Sequence, residues 1–132
     1  MPIRPIVRYM ILCDDWRWDP VNNQRVTIVG LLSYFRSTGS PPYPLRLREL
    51  CVFLVLTEGR GQGEGKIVCV FEDTAQKVFE TPARIISFGS NPLEIIGAPF
   101  RIRDCPFSQP GLYSVQFWYD GLMVDERPLL MR

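Results

Sequence analysis

The chain contains no histidine in 132 residues, which removes the commonest general base, proton shuttle and metal ligand together. Lysine is almost as scarce. Lys66 and Lys77 are the only two, and neither completes an S-x-x-K pattern, so a serine or cysteine nucleophile would have to find an isolated lysine or a carboxylate as its base. Net charge is also missing: 15 basic against 14 acidic residues leave +1 and no long-range attraction for nucleic acid or an acidic membrane. Twelve prolines and ten glycines interrupt every apolar run well short of the roughly 20 residues that a bilayer span needs. Met1-Pro2-Ile3-Arg4-Pro5 lacks the apolar core of a signal peptide. These absences argue against catalysis, nucleic-acid binding, membrane insertion and export, and make the cytoplasm the expected location.

Cys13, Cys51, Cys69 and Cys105 are widely spaced, without a C-x-x-C pair, and Cys51 and Cys69 sit inside the apolar runs 50–56 and 67–71. In a reducing compartment they read as small buried hydrophobes rather than a zinc centre. A Cys51–Cys69 disulfide stays open if those two strands are neighbours.

What the chain does contain is β grammar. Residues 110–124 write out a hairpin: Tyr113, Val115, Phe117 and Tyr119 alternate onto one face, and Asp120-Gly121 supplies the positive φ angles of a two-residue turn. Continuing the register places Leu122 opposite Tyr119 and Val124 opposite Phe117. Other short runs rich in β-branched and aromatic residues are bounded by Gly, Pro, Asn or Asp, and none has helical periodicity. They predict strands at 7–13, 14–21, 25–35, 50–56, 66–72, 76–79, 84–88, 93–96 and 100–103, with an Asn22-Asn23 turn and a loop over Gly59–Gly65. The Ser/Pro-rich stretch 37–44 predicts a crossover between sheets. Tyr113, two residues after Gly111 at a strand start, is placed to return its hydroxyl to an upstream carbonyl as a tyrosine corner. The fold expected is a single all-β domain over residues 1–132, an antiparallel β-sandwich of jelly-roll type.

The pieces Ile11-Leu12-Cys13-Asp14, Thr27-Ile28-Val29-Gly30-Leu31, Pro42-Tyr43-Pro44-Leu45, and Pro110-Gly111-Leu112-Tyr113 running into Asp120-Gly121 occur in this order. In this the chain resembles a family of small bacterial β-sandwich proteins that forms a domain of unknown function. The resemblance spans nearly the whole length. It implies the sandwich and carries over no catalytic residue, because that family has no assigned activity.

Four groups of residues invite a functional reading. Gly59–Lys66 looks at first like a phosphate loop, but Arg60 stands where glycine is needed and Ile67 where Ser or Thr is needed, and a strand follows in place of a helix. Asp14, Asp15 and Asp19, interleaved with Trp16 and Trp18, would make a calcium or carbohydrate site if Asp73 or Asp104 joined them and the two indoles formed a platform. The reading favoured over it has the acids solvating a strand end and a tryptophan anchored in the core. Arg46 with Arg48, and Arg101 with Arg103, read as edge charges that discourage stray strand pairing. Trp118 and Met123, facing outward across the closing hairpin with Gln116 and Asp125 beside them, make a compact interface candidate. The function expected is thus a non-enzymatic protein-interaction or assembly module without cofactor or metal, self-associating or bound to another protein. The alternative is a small-ligand module, carbohydrate or calcium dependent, at Asp14, Asp15, Trp16 and Trp18.

Overall fold

The computed structural model describes residues 3–21, 25–91 and 93–132. Among these residues ten strands run in order: β1 (Ile6–Trp18), β2 (Val26–Leu31), β3 (Tyr34–Phe35), β4 (Leu45–Thr57), β5 (Gly61–Phe71), β6 (Gln76–Glu80), β7 (Arg84–Phe88), β8 (Ile95–Phe107), β9 (Gly111–Tyr119) and β10 (Leu122–Met131). They form a four-stranded sheet, β2-β1-β4-β8, and a six-stranded one, β3-β10-β9-β5-β6 with β7 also paired to β5. Every pairing is antiparallel except that of β3, which runs parallel beside β10. The chain is all-β, as its turn-punctuated sequence predicts.

The core lies between the sheets. Leu50, Val52, Leu54 and Leu56 point inward from β4 and meet Ile67, Cys69 and Phe71 of β5 and Tyr113, Val115, Phe117 and Tyr119 of β9, all buried. Phe107 sits against Tyr113 with ring centroids 4.9 Å apart, and Phe71 lies 5.0 Å from the same ring. The Tyr113 hydroxyl donates to the Gln109 carbonyl at 2.6 Å, so the tyrosine corner predicted from Gly111 and Tyr113 is formed at the crossover from β8 to β9. With β1-β4-β8 facing β10-β9-β5-β6, the strand order follows that of immunoglobulin-type sandwiches.

The closing hairpin turns as expected, with φ of 49° at Asp120 and 79° at Gly121. Asp120 also accepts the Glu64 N–H at 2.8 Å through its carboxylate, tying the turn to β5. Its register is as predicted only for the first two pairs, Leu122 with Tyr119 and Met123 with Trp118. A bulge at Val124 then sets Asp125, not Val124, opposite Phe117 and sets Glu126 opposite Gln116.

Several predicted boundaries change for steric reasons. Residues 7–13 and 14–18 are one strand, because Gly30 (φ 67°) lacks the Cβ that would strike the Asp14 carboxylate and so lets β2 pass the bend. The predicted Asn22-Asn23 turn lies outside the described residues. The long strand expected over 25–35 divides at Leu32-Ser33, where the chain leaves β1 for β10: the Leu32 N–H bonds the Leu12 carbonyl and the Leu130 N–H bonds the Ser33 carbonyl. Gly61–Gly65 is strand rather than loop. Its glycines make room, since a Cβ on Gly63 would meet the Tyr119 ring and one on Gly65 would come within 2.6 Å of Ile86. Of the strand expected over 93–96 only 95–96 is strand, and it joins 100–103 in one long β8, which holds Pro99 opposite Phe53 as a ladder tolerates a proline whose missing N–H would point away from the neighbouring strand.

Candidate functional site

Strand alternation gives the four-stranded sheet a second apolar surface, on the side away from the core. Tyr9, Ile11 and Cys13 of β1 lie beside Val55, Phe53 and Cys51 of β4, and Gly97, Pro99 and Arg101 of β8 continue the same three rows. Cys13, Cys51 and Phe53 are buried even on this outer side, since Trp16 spreads over it with its ring centroid 5.4 Å from that of Phe53. The rest is open to solvent: Tyr9 is 62% exposed, Leu31 77%, Ile95 68% and Trp18 52%. At one end Tyr9, Val55, Leu93 and Ile95 line a groove of about 420 Å³.

Charged pairs border this surface at both ends. Beside the groove, Arg8 Nη2 meets Glu58 Oε2 at 3.0 Å while its Nε donates to Thr57 Oγ1 at 2.9 Å. At the opposite end the Arg101 guanidinium lies over the Trp16 ring, 5.0 Å from its centroid, and donates to Asp15 Oδ1 at 2.8 Å and to the Trp16 carbonyl at 3.0 Å. Glu49 and Arg17 complete this cluster through contacts of 3.9 and 3.8 Å. Each end balances its own charge, so the surface carries aromatic and aliphatic area without a field of one sign.

That geometry decides what the predicted Asp/Trp cluster can do. Asp15 is committed to Arg101, Arg17 and the Trp16 N–H, Asp14 packs on Gly30, and Asp19 caps the Val21 N–H at 2.8 Å. Among the described residues no three of His, Cys, Asp or Glu gather as a metal group. Trp16 and Trp18 do meet, at 5.5 Å, but edge to face at 84°, which leaves no flat platform for a sugar ring. Neither indole reaches the core: both belong to the outer face, and the anchoring role expected of one of them is filled instead by Met10 and Leu12 of the same strand.

The cysteines are all free and buried. Cys51 and Cys69 lie in different sheets, and the neighbour the fold gives Cys51 is Cys13, directly opposite on β1. A hydrogen bond from the Cys51 thiol lowers the Cys13 pKa and raises that of Cys51. Burial pushes Cys69 and Cys105 each up to about 12.

Trp118 and Met123 do form the predicted cross-strand pair on the outer side of the six-stranded sheet, but the setting differs. Trp118 is half-buried, its Nε1 donates to Gln116 Oε1 at 2.9 Å, Gln116 Nε2 reaches Ser114 Oγ at 3.5 Å, and Ser114 Oγ donates to Glu126 Oε1 at 3.1 Å. Lys66 flanks the indole on β5 and is itself bound to Glu80. This face is a hydrogen-bonded polar lane with Met123, 41% exposed, at its margin. Asp125, displaced by the bulge, pairs with Arg127 at 2.8 Å.

The family model described as "Family of unknown function (DUF6941)" matches residues 8–132. The chain belongs to that family. The match covers every strand except the first two residues of β1. Among curated proteins none matches the chain. Membership in DUF6941 leaves the function to be argued from the chain's own surfaces.

Proposed function

We propose that this DUF6941 chain is a non-enzymatic assembly module that pairs with a second copy of itself through the outer face of its four-stranded sheet. The observation that supports this most is the apolar surface made by Leu31, Ile11, Phe53, Tyr9 and Ile95, which Trp16 links to Trp18, with Leu31, Trp18, Tyr9 and Ile95 each more than half exposed. An apolar surface of this continuity costs solubility unless something covers it. Its makeup, tryptophan and tyrosine bordered by arginine, is that of energetic centres in protein interfaces.

A second copy fits the charge pattern. The Arg8–Glu58 pair at one end and the Asp15–Arg101–Glu49 cluster at the other each carry both signs, so the border favours neither an acidic nor a basic partner. A twofold axis lying in the interface and running across the strands would lay one end over the other copy's opposite end, where each acid finds a base, and such isologous pairing is the commonest form of assembly. The polar lane around Trp118 stays outside this contact.

Sedimentation at increasing protein concentration tests the proposal. Wild-type chain is expected to dimerise, Tyr9→Lys with Leu31→Lys to sediment as a folded monomer, and Trp118→Ser with Met123→Ser to dimerise like the wild type. A wild type that stays monomeric at ~1 mM, weaker than about 4 kcal/mol of association, overturns it, as does a dimer unaffected by the two lysines.

A further inference from the structure

The edge of the four-stranded sheet at β8 holds a second site, independent of the apolar face. In the immunoglobulin-type order a fourth strand lies beside the one that β8 represents. Here the intervening residues form β6 and β7, and both pair with β5, so that position is open. A groove of about 570 Å³ occupies it, between residues 100–106 of β8 and residues 79–84.

Two prolines bound the free edge. A proline is tolerated in a ladder where its missing N–H points away from the neighbouring strand. Pro99, opposite Phe53 of β4, therefore marks backbone that faces the groove. Arg101 and Arg103, two and four residues beyond Pro99, share its orientation by strand alternation and present N–H and C=O groups to an empty position. Pro99 blunts one end of the edge, and between it and Pro106 lies a window of six residues, Phe100–Cys105.

One charge facing this window is unmet. Arg84, at the start of β7, lays its guanidinium on the Phe100 ring, 4.1 Å from the centroid, and forms no hydrogen bond or ion pair among the described residues. Partial burial without a counter-charge holds its pKa below the usual arginine value. Glu80, an acid lining the groove, is already bound by Lys66 at 2.9 Å and Lys77 at 3.2 Å. The carbonyl of Asp104 is taken by Arg46 at 3.3 Å.

We infer that β8 accepts an extended segment of a partner protein as a fifth strand, with an acidic side chain of that segment directed inward onto Arg84. Backbone pairing with Arg101 and Arg103 holds the segment, and side chains on either side of the acid pack over Phe79 and Ile102. Arg84 supplies the selection, because a guanidinium stacked on an aromatic face is preorganised for a carboxylate.

The probe is a capped seven-residue peptide of alternating threonine and valine with glutamate at its centre. Three companions carry lysine there, glutamine there, or glutamate with an N-methylated backbone. Titrated into the isotopically labelled full chain, the glutamate peptide should shift and protect the amides of Arg101 and Arg103 and bind about tenfold more tightly than the lysine peptide. Arg84→Gln should abolish that preference while Arg84→Lys retains part of it, and the N-methylated peptide should not bind. Failure of every peptide at ~1 mM, equal binding of glutamate and lysine, or indifference to N-methylation would overturn the inference. So would a finding that two copies pair through β8, seen as amide protection at Arg101 and Arg103 that grows with protein concentration without peptide. Arg101 borders both surfaces, so the two proposals are told apart by Arg84, which lines the groove alone, and by Tyr9 and Leu31, which belong to the outer face alone.

Discussion

Removing one oxygen from Tyr113 probes the crossover that joins the two sheets. Tyr113→Phe keeps the ring between Phe71 and Phe107, whose centroids lie 5.0 and 4.9 Å away, and deletes only the 2.6 Å hydrogen bond to the Gln109 carbonyl. A neutral hydrogen bond contributes about 0.5–1.5 kcal/mol net, and stranding its acceptor in a dry site would add about 1–3. Gln109 is exposed, so its carbonyl can turn to water and the added penalty is small. The expected loss is therefore about 1 kcal/mol, or roughly 3–5 °C in Tm for a domain of this size. Phe117→Ala, at a fully buried ring, should cost about 3–5 kcal/mol by comparison. Urea unfolding of the three proteins provides the check. A Tyr113→Phe variant as stable as the wild type, or as damaged as Phe117→Ala, would refute the idea that this bond is one modest clamp on a core held by packing.

Other consequences are equally direct. Gly63→Ala should destabilise by about 1–3 kcal/mol through overpacking against the Tyr119 ring, measured by thermal unfolding; a neutral result would return residues 59–65 to a flexible loop. Lys66 and Lys77 hold the Glu80 carboxyl below its ordinary pKa. A depressed carboxylate stabilises the fold above its unfolded pKa and loses that contribution as pH falls through the folded value, so Glu80→Gln should flatten the acid limb of stability against pH while changing little at neutrality. All four thiols are buried and should react with a thiol reagent at neutral pH only at the rate of unfolding, and fast labelling of any of them in the native chain would contradict the packing.

The strands were legible wherever alternation ran between clear turn residues, as in Tyr113–Tyr119 and the Asp120-Gly121 turn. They were obscured where glycine served packing. Gly63 and Gly65 resemble a linker in sequence, yet their missing side chains admit Tyr119 and Ile86. Pro99 reads as a break and is a strand residue, because which way a backbone N–H points depends on a neighbour that the sequence does not name. The bulge at Val124 moved Asp125 away from Gln116 for the same reason. The functional surface was legible in part: apolar residues on both faces of β4 announce a strand covered twice, and only the assembled sheet shows that Tyr9, Ile11 and Leu31 lie on its second, uncovered side. Trp118, the more conspicuous residue, is satisfied by Gln116 and Lys66's neighbourhood. Arg84 carried no signal at all, since its isolation follows from the strand that β8 lacks.

Hydroxyl-radical footprinting across a concentration series tests most directly which face is covered. Side-chain oxidation is read by mass spectrometry at dilute and concentrated chain. Tyr9, Trp18, Leu31 and Ile95 should lose reactivity together as the protein associates, while Leu122 and Met123 on the other sheet stay as reactive as in the monomer. Protection of Met123 with Tyr9 unchanged, or no protection at any concentration, would contradict a dimer built on the outer face of the four-stranded sheet.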